Sequence, residues 1–181
     1  MNAERQLDPE ALGDHIDRLY RAAWSLCGSR EEAEDLVQAT FESVLRRPRF
    51  LRSDDDVGYL LRVLRNTFFS QRRAASRRPQ TTPLPDNLDL FEDRTAPAAE
   101  SRIESAELYA AISRLPDDFR DALVAIDVVG LSYREAAKAL KVREATITTR
   151  LHRARQRVAA ELVSQRPPGP STPPASAGRR P

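Results

Sequence analysis

Apolar residues recur along this chain at spacings of three and four, the period of an amphipathic helix, and no stretch shows the alternation of a strand. Leu12, Ile16, Leu19, Ala23 and Leu26 make the first stripe, and Gly28 stands where a left-handed residue would stop that helix. "SREE" follows, with Ser29 as N-cap and Glu32 in the reciprocal place of a capping box. Ala33, Leu36, Val37, Thr40 and Val44 form the second stripe, which ends near Pro48. A third helix is expected to open at Ser53, opposite Asp56, to bury Val57, Leu60, Leu61, Leu64 and Phe68, and to run to about Ser76. Farther on, Leu108, Ile112 and Leu115 share one helix, and Phe119, Leu123 and Ile126 the next, with Gly130 as its C′ residue. Ser132 and Glu135 then form another capping box before a short helix that turns Ala136, Ala137 and Leu140 inward. Val142 plugs a corner, and Ile147, Leu151, Ala154 and Val158 are the buried stripe of the last helix.

Prolines divide this pattern. Pro79, Pro83, Pro85 and Pro97 fall in one stretch, and Pro167, Pro168, Pro170, Pro173, Pro174 and Pro181 in the tail. Pro9, Pro48 and Pro116 each suit a helix edge. The expected architecture is all-α: two small helical domains, 8–78 and 105–164, joined by a flexible acidic linker, 79–104, and followed by a disordered Pro-rich tail, 165–181.

Charge changes the picture more than composition does. The net charge is only +2, yet Arg62, Arg65, Arg72, Arg73, Arg77 and Arg78 lie on the third helix with no acid between Arg62 and Arg78. Lys141, Arg143, Arg150, Arg153, Arg155 and Arg157 on the last helix and its corner face only Glu144. The linker is acidic, with Asp86, Asp89, Glu92, Asp93 and Glu100 among its residues. Two basic faces on an acidic strap point to two contacts with one polyanion. One cysteine excludes an internal disulfide, and Cys27, His15 and His152 are too scattered to hold a metal. Neither a nucleophile–base set nor a phosphate-cradling glycine loop is present, so no catalytic residue, metal or cofactor is expected. "MNAERQLDPEALGDH" has no apolar signal-like run, and no stretch approaches the roughly 20 apolar residues of a membrane span, so a cytoplasmic protein without membrane insertion is expected.

Segment 132–157 has the proportions of a helix-turn-helix, whose second helix enters the major groove. Subtracting the buried stripe leaves Thr148, Thr149, Arg150, His152 and Arg153 facing outward. Arginine takes guanine bidentately, and threonine offers a hydroxyl or meets the thymine methyl. Ser132, Arg134, Arg155 and Arg157 suit phosphates, with Arg143 beside the corner. Lys141 occupies the corner position that favours glycine; a side chain there costs roughly 1–2 kcal/mol, which a phosphate contact by the lysine would offset.

The third helix interleaves its arginines with Tyr59, Phe68 and Phe69, plus Asn66 and Gln71, a mixture suited to single-stranded nucleic acid. Phe68 fits the buried stripe and is assigned to the core. The preceding "RFLRSDDDV" is a candidate rim for an extruded base. Opening about ten base-pair steps costs on the order of 14 kcal/mol in stacking. Two captured bases return roughly 2–6 kcal/mol. A chain of this size needs a larger partner to hold opened strands.

These residues resemble the extracytoplasmic-function sigma factors of bacterial RNA polymerase. "LCGSREEAEDLVQATFESVLRR" is similar to the family's core-binding segment, and "VGYLLRVLRNTFFSQRRAASRR" to the segment that melts and reads the −10 element. "LPDDFRDALVAIDVVGLSYREAAKALKVREATITTRLHRARQRV" resembles region 4, which reads the −35 element. The resemblance implies that Glu31, Asp35, Gln38 and Glu42 grip the β′ clamp helices of core polymerase, with region 4 near the β flap. It assigns Tyr59, Arg62, Arg65, Asn66, Phe69, Arg72 and Arg73 to −10 DNA. It assigns Ser132, Arg134, Lys141, Arg143, Thr148, Thr149, Arg150, His152, Arg153 and Arg155 to −35 DNA. It adds promoter DNA and an anti-sigma protein as partners. Ala39 stands where the family usually has glutamate, Tyr59 where it has tryptophan, Lys141 where it has glycine, and Thr148 where a longer residue is common. The alternative is a stand-alone helix-turn-helix regulator, to which the acidic second helix and the arginine–aromatic third helix would be superfluous.

Overall fold

The computed structural model describes residues 5–6, 10–46, 50–51, 55–77 and 99–165. The sequence-predicted linker before Ala99, the tail from residue 166 and positions 49 and 52–54 of the "RFLRSDDDV" loop lie outside the described residues. Helices α1 (Ile16–Cys27), α2 (Arg30–Leu45) and α3 (Asp56–Ala75) form the first unit, entered through a 3-10 turn at Glu10–His15. Helices α4 (Ala99–Ser113), α5 (Asp117–Leu123), α6 (Tyr133–Leu140) and α7 (Glu144–Gln165) form the second, and a π-helical turn at Val124–Val128 continues α5. The only sheet among the described residues is a two-residue antiparallel pair, with Arg5 opposite Leu51 and Gln6 opposite Phe50.

The stripes pack as their spacing requires. Ala33, Leu36, Val37, Thr40 and Val44 are all buried on α2, and Ile147, Leu151, Ala154 and Val158 on α7. Thr40 tolerates the core because its hydroxyl donates to the Leu36 carbonyl at 2.7 Å. On α3, Leu60, Leu61, Leu64 and Phe68 are buried, whereas Val57 at the first turn is half-buried. Leu108 departs from expectation: it is 38% exposed, and its neighbour Tyr109 turns inward to stack on Trp24 at 4.5 Å between ring centroids.

Helix ends follow local chemistry. Ser29 accepts a hydrogen bond from the Glu32 amide at 3.2 Å. Ser132 and Glu135 form the full reciprocal box. The cap of α3 is Asp55, whose carboxylate accepts from the Gly58 amide at 2.7 Å, so the helix opens two residues later than the Ser53 start expected. Aspartate accepts as well as serine does, and three consecutive aspartates hide which one caps. Gly28 adopts φ 82° at the end of α1, and a Cβ there would lie 2.5 Å from Ser113 Oγ of α4. That glycine serves both the turn and the approach of the second unit. Helix α4 starts at Ala99, inside the stretch read as linker.

The two units share one continuous core. Helix α4 packs on α1, and α6 packs on α3. No helix among the described residues is long and apolar enough to cross a membrane.

Candidate nucleic-acid interface

Helix α7 is held at its start by the corner that Lys141 makes. Lys141 has φ 56° and ψ 44°, the left-handed conformation predicted for it, and its amide and that of Val142 both donate to the Ala137 carbonyl. Half-buried Val142 then packs against the core and fixes the angle of α7. Thr148, Thr149, His152 and Arg153 emerge together on the exposed side. The two threonine hydroxyls donate back to the carbonyls of Glu144 and Ala145 at 3.2 and 3.1 Å. This leaves the methyl groups and the remaining oxygen lone pairs outward. Arg134, Lys141 and Arg143 are exposed on α6 and the corner.

Three residues expected to contact DNA are engaged inside the second unit. Arg150 donates to Asp118 at 2.7 Å and is largely covered. Arg155 donates through two nitrogens to Asp127 at 2.9 and 2.6 Å, and that pairing holds its guanidinium above the usual arginine range. Arg157 lies 4.8 Å from the centre of the Phe119 ring. Ser132 is occupied as a cap: its hydroxyl donates to the Glu135 carboxylate at 2.6 Å. Those hydrogen bonds hold the Glu135 carboxyl below the usual glutamate range.

On α3 the residues divide by face. Asn66 and Arg73 are exposed, and Tyr59 is half-buried beside them on the same side. Phe68 is in the core, as assigned, while Phe69 is half-buried with the Arg65 guanidinium 4.9 Å from its ring centre. Arg65 and Arg72 turn toward the second unit: Arg65 Nε donates to Asp121 at 2.5 Å, and Arg72 to Asp117 at 3.2 Å. Arg62 donates to the Lys138 carbonyl at 3.4 Å. Burial pushes the Asp121 carboxyl above the usual aspartate range, and the Arg65 charge opposes that shift. The acids of α5 were the unread half of the site. Their only sequence signal is the spacing of Asp117 and Asp121, one helical turn apart.

A second exposed surface lies on α2. Glu31, Asp35, Gln38 and Glu42 recur at one face and are all exposed, with Gln38 donating to Glu42 at 3.3 Å. Among the described residues no group of three or more His, Cys, Asp or Glu side chains could hold a metal ion.

Family models agree with this division. Residues 12–78 match "Sigma-70 region 2", and residues 105–158 match "Sigma-70, region 4". The chain is 37% identical over 153 residues to the ECF RNA polymerase sigma factor SigE of Mycolicibacterium smegmatis, covering 82% of this chain and 59% of that protein. It thus spans less than two thirds of that relative. It is 32% identical over 148 residues to the ECF RNA polymerase sigma factor EcfG of Rhodopseudomonas palustris, covering 81% and 80% of the two chains. The fold is similar to that of the sigma factor RpoE in complex with the anti-sigma factor NepR from Bartonella quintana. That likeness has a TM-score of 0.65 at 25% identity and covers 87% of this chain and 97% of that one. An acidic outward stripe on α2, a basic α3 and a helix-turn-helix with a basic second helix, in this order, together with these matches identify the chain as a member of the extracytoplasmic-function sigma factors of RNA polymerase, within the sigma-70 family.

Proposed function

We propose that this chain directs transcription initiation in the cytoplasm by dividing promoter recognition among three surfaces, with no chemistry of its own. The exposed stripe Glu31, Asp35, Gln38 and Glu42 of α2 binds core polymerase. Helix α3 holds the −10 strand through Asn66, Arg73 and the aromatic–arginine face around Phe69. Helix α7 reads the −35 major groove.

The observation that carries this reading is the grouping of Thr148, Thr149, His152 and Arg153 on the open side of α7, none of them in an ion pair among the described residues. Arg134, Lys141 and Arg143 flank them and suit phosphates. An anti-sigma protein is a further proposed partner, supported by the likeness to a sigma factor held in such a complex. A cavity of about 420 Å³ between α1, α4 and α7, lined by Leu108, Tyr109, Ile112, Leu123, Val158 and Leu162, suits an apolar segment of that partner.

The test is transcription by reconstituted holoenzyme on promoters that differ only in the −35 box. Arg153→Ala is expected to lose discrimination between the boxes by roughly 1–3 kcal/mol while retaining core binding. Equal loss at every promoter would refute direct readout by this residue.

A further inference from the structure

The open face of α7 continues beyond Arg153. Thr149, His152, Arg153 and Gln156 recur at the spacing of one helix face, and all four are exposed. Seven residues advance a helix about 10.5 Å and return to within about 20° of the same face. Gln156 therefore lies on the line of Thr149, farther along a bound duplex by about three base-pair steps of about 3.4 Å. Its neighbours are turned aside. Arg155 is bonded twice to Asp127, at 2.9 and 2.6 Å, and Arg157 lies 4.8 Å from the centre of the Phe119 ring. Ala154 and Val158 are buried. Gln156 is thus the side chain of this turn left both exposed and uncommitted, with no hydrogen bond or ion pair among the described residues.

We infer that Gln156 is a further specificity-determining residue: its carboxamide takes an adenine in the major groove, about three base pairs from the pair beneath Thr149. The inference rests on the reading of α7 as the −35 helix.

The chemistry of the face leaves this role unfilled. Thr148 and Thr149 donate their hydroxyls to the Glu144 and Ala145 carbonyls, so toward DNA they offer methyl groups and acceptors. Arg153 can only donate, which suits guanine. Gln156 presents a donor and an acceptor in one plane, which matches N6 and N7 of adenine. It lies opposite the buried stripe Ile147, Leu151, Ala154 and Val158, on the line that points to the groove floor, whereas phosphates rim the groove. Recognition helices meet bases first through their N-terminal turns, and a straight helix draws away from a groove that curves around the duplex. A later reader must therefore be longer than an earlier one, as Gln156 is beside Thr149.

The test is transcription by reconstituted holoenzyme from a promoter library in which the −35 box and about three base pairs on each side are randomised, the templates used being counted from the RNA. The wild type is expected to favour adenine at one position by about five- to a hundredfold. Gln156→Ala should abolish that preference and leave the other positions as they are. Gln156→Arg should convert the same position from adenine to guanine, which a merely structural role would not do. The position should lie about three base pairs from the one altered by Thr149→Ala. The site is exposed, and glutamine, alanine and arginine are all good helix formers, so both variants should keep the fold. Gln165→Ala, at the exposed end of α7, should alter no position. Equal loss on every template from Gln156→Ala, as a phosphate contact would give, would overturn the inference. So would no change at any position, a changed position at which the wild type does not favour adenine, or the same change from Gln165→Ala. Failure of the −35 reading would show separately: Thr149→Ala and Arg153→Ala would then alter no position either, on templates that the holoenzyme still transcribes.

Discussion

Replacing Lys141 by glycine should stabilise the protein and weaken its grip on DNA at once. Lys141 is the one non-glycine residue with positive φ among those described, at 56°, and Gly28 and Gly130 adopt the same region at 82° and 81°. A Cβ in this conformation costs roughly 1–2 kcal/mol. The added freedom of glycine in the unfolded chain returns about 0.4–1 kcal/mol of that. The side chain is exposed, so little packing is lost. The net gain is about 0.5–1 kcal/mol, or roughly 1–4 °C in Tm for a chain of this length. Thermal unfolding followed by circular dichroism, at fixed protein and salt concentration, measures it. If the lysine holds a phosphate, the slope of log affinity against log salt for −35 duplex should fall by about one. An unchanged or lower Tm would refute the strain at the corner. An unchanged salt slope would refute the phosphate contact.

Ser132→Ala should cost about 1 kcal/mol, because the Glu135 amide loses its hydroxyl acceptor and the Glu135 carboxylate loses the hydroxyl donor, while the backbone amide of residue 132 still donates to that carboxylate. Glu135 has its carboxyl depressed in the folded state, so its contribution is complete above the ordinary glutamate range and is lost as pH falls through the depressed value. The Tm gap between wild type and Ser132→Ala should therefore narrow on acidification, and a constant gap would refute the linkage. Cys27, whose thiol burial and the nearby Glu32 push up to about 12, should alkylate at pH 8 at least about a hundredfold more slowly than in the denatured chain, as mass spectrometry would show. Asp35→Arg, on an exposed turn of α2, should abolish co-elution with core polymerase and leave duplex binding by α7 intact; retained co-elution would remove α2 from the contact.

Much of the fold was legible because burial on one side of a helix imposes its period on the chain. The stripes of α2 and α7 match their buried residues throughout. Leu108 failed because the docking of α4 on α1 chose Tyr109 as the inward residue, a choice made by an aromatic partner outside the helix. The π-helical turn at Val124–Val128 has no composition signal, since one added residue per turn leaves the apolar run unchanged. The site was half legible for a related reason. Arginines with no acid one turn away on their own helix look unopposed in sequence, yet Arg65, Arg72, Arg150 and Arg155 meet Asp121, Asp117, Asp118 and Asp127 across tertiary contacts. Thr148, Thr149, His152 and Arg153 could be read directly because exposure on α7 follows from subtracting its buried stripe.

Run-off transcription tests the sigma-factor assignment most directly. Purified bacterial core polymerase would be supplied with fragmented host genomic DNA, with and without this chain, and the 5′ ends of the RNA sequenced. New starts that share two upstream boxes, and vanish with Asp35→Arg, are the predicted result. The absence of new starts, with duplex DNA bound tightly by the chain alone, would contradict it.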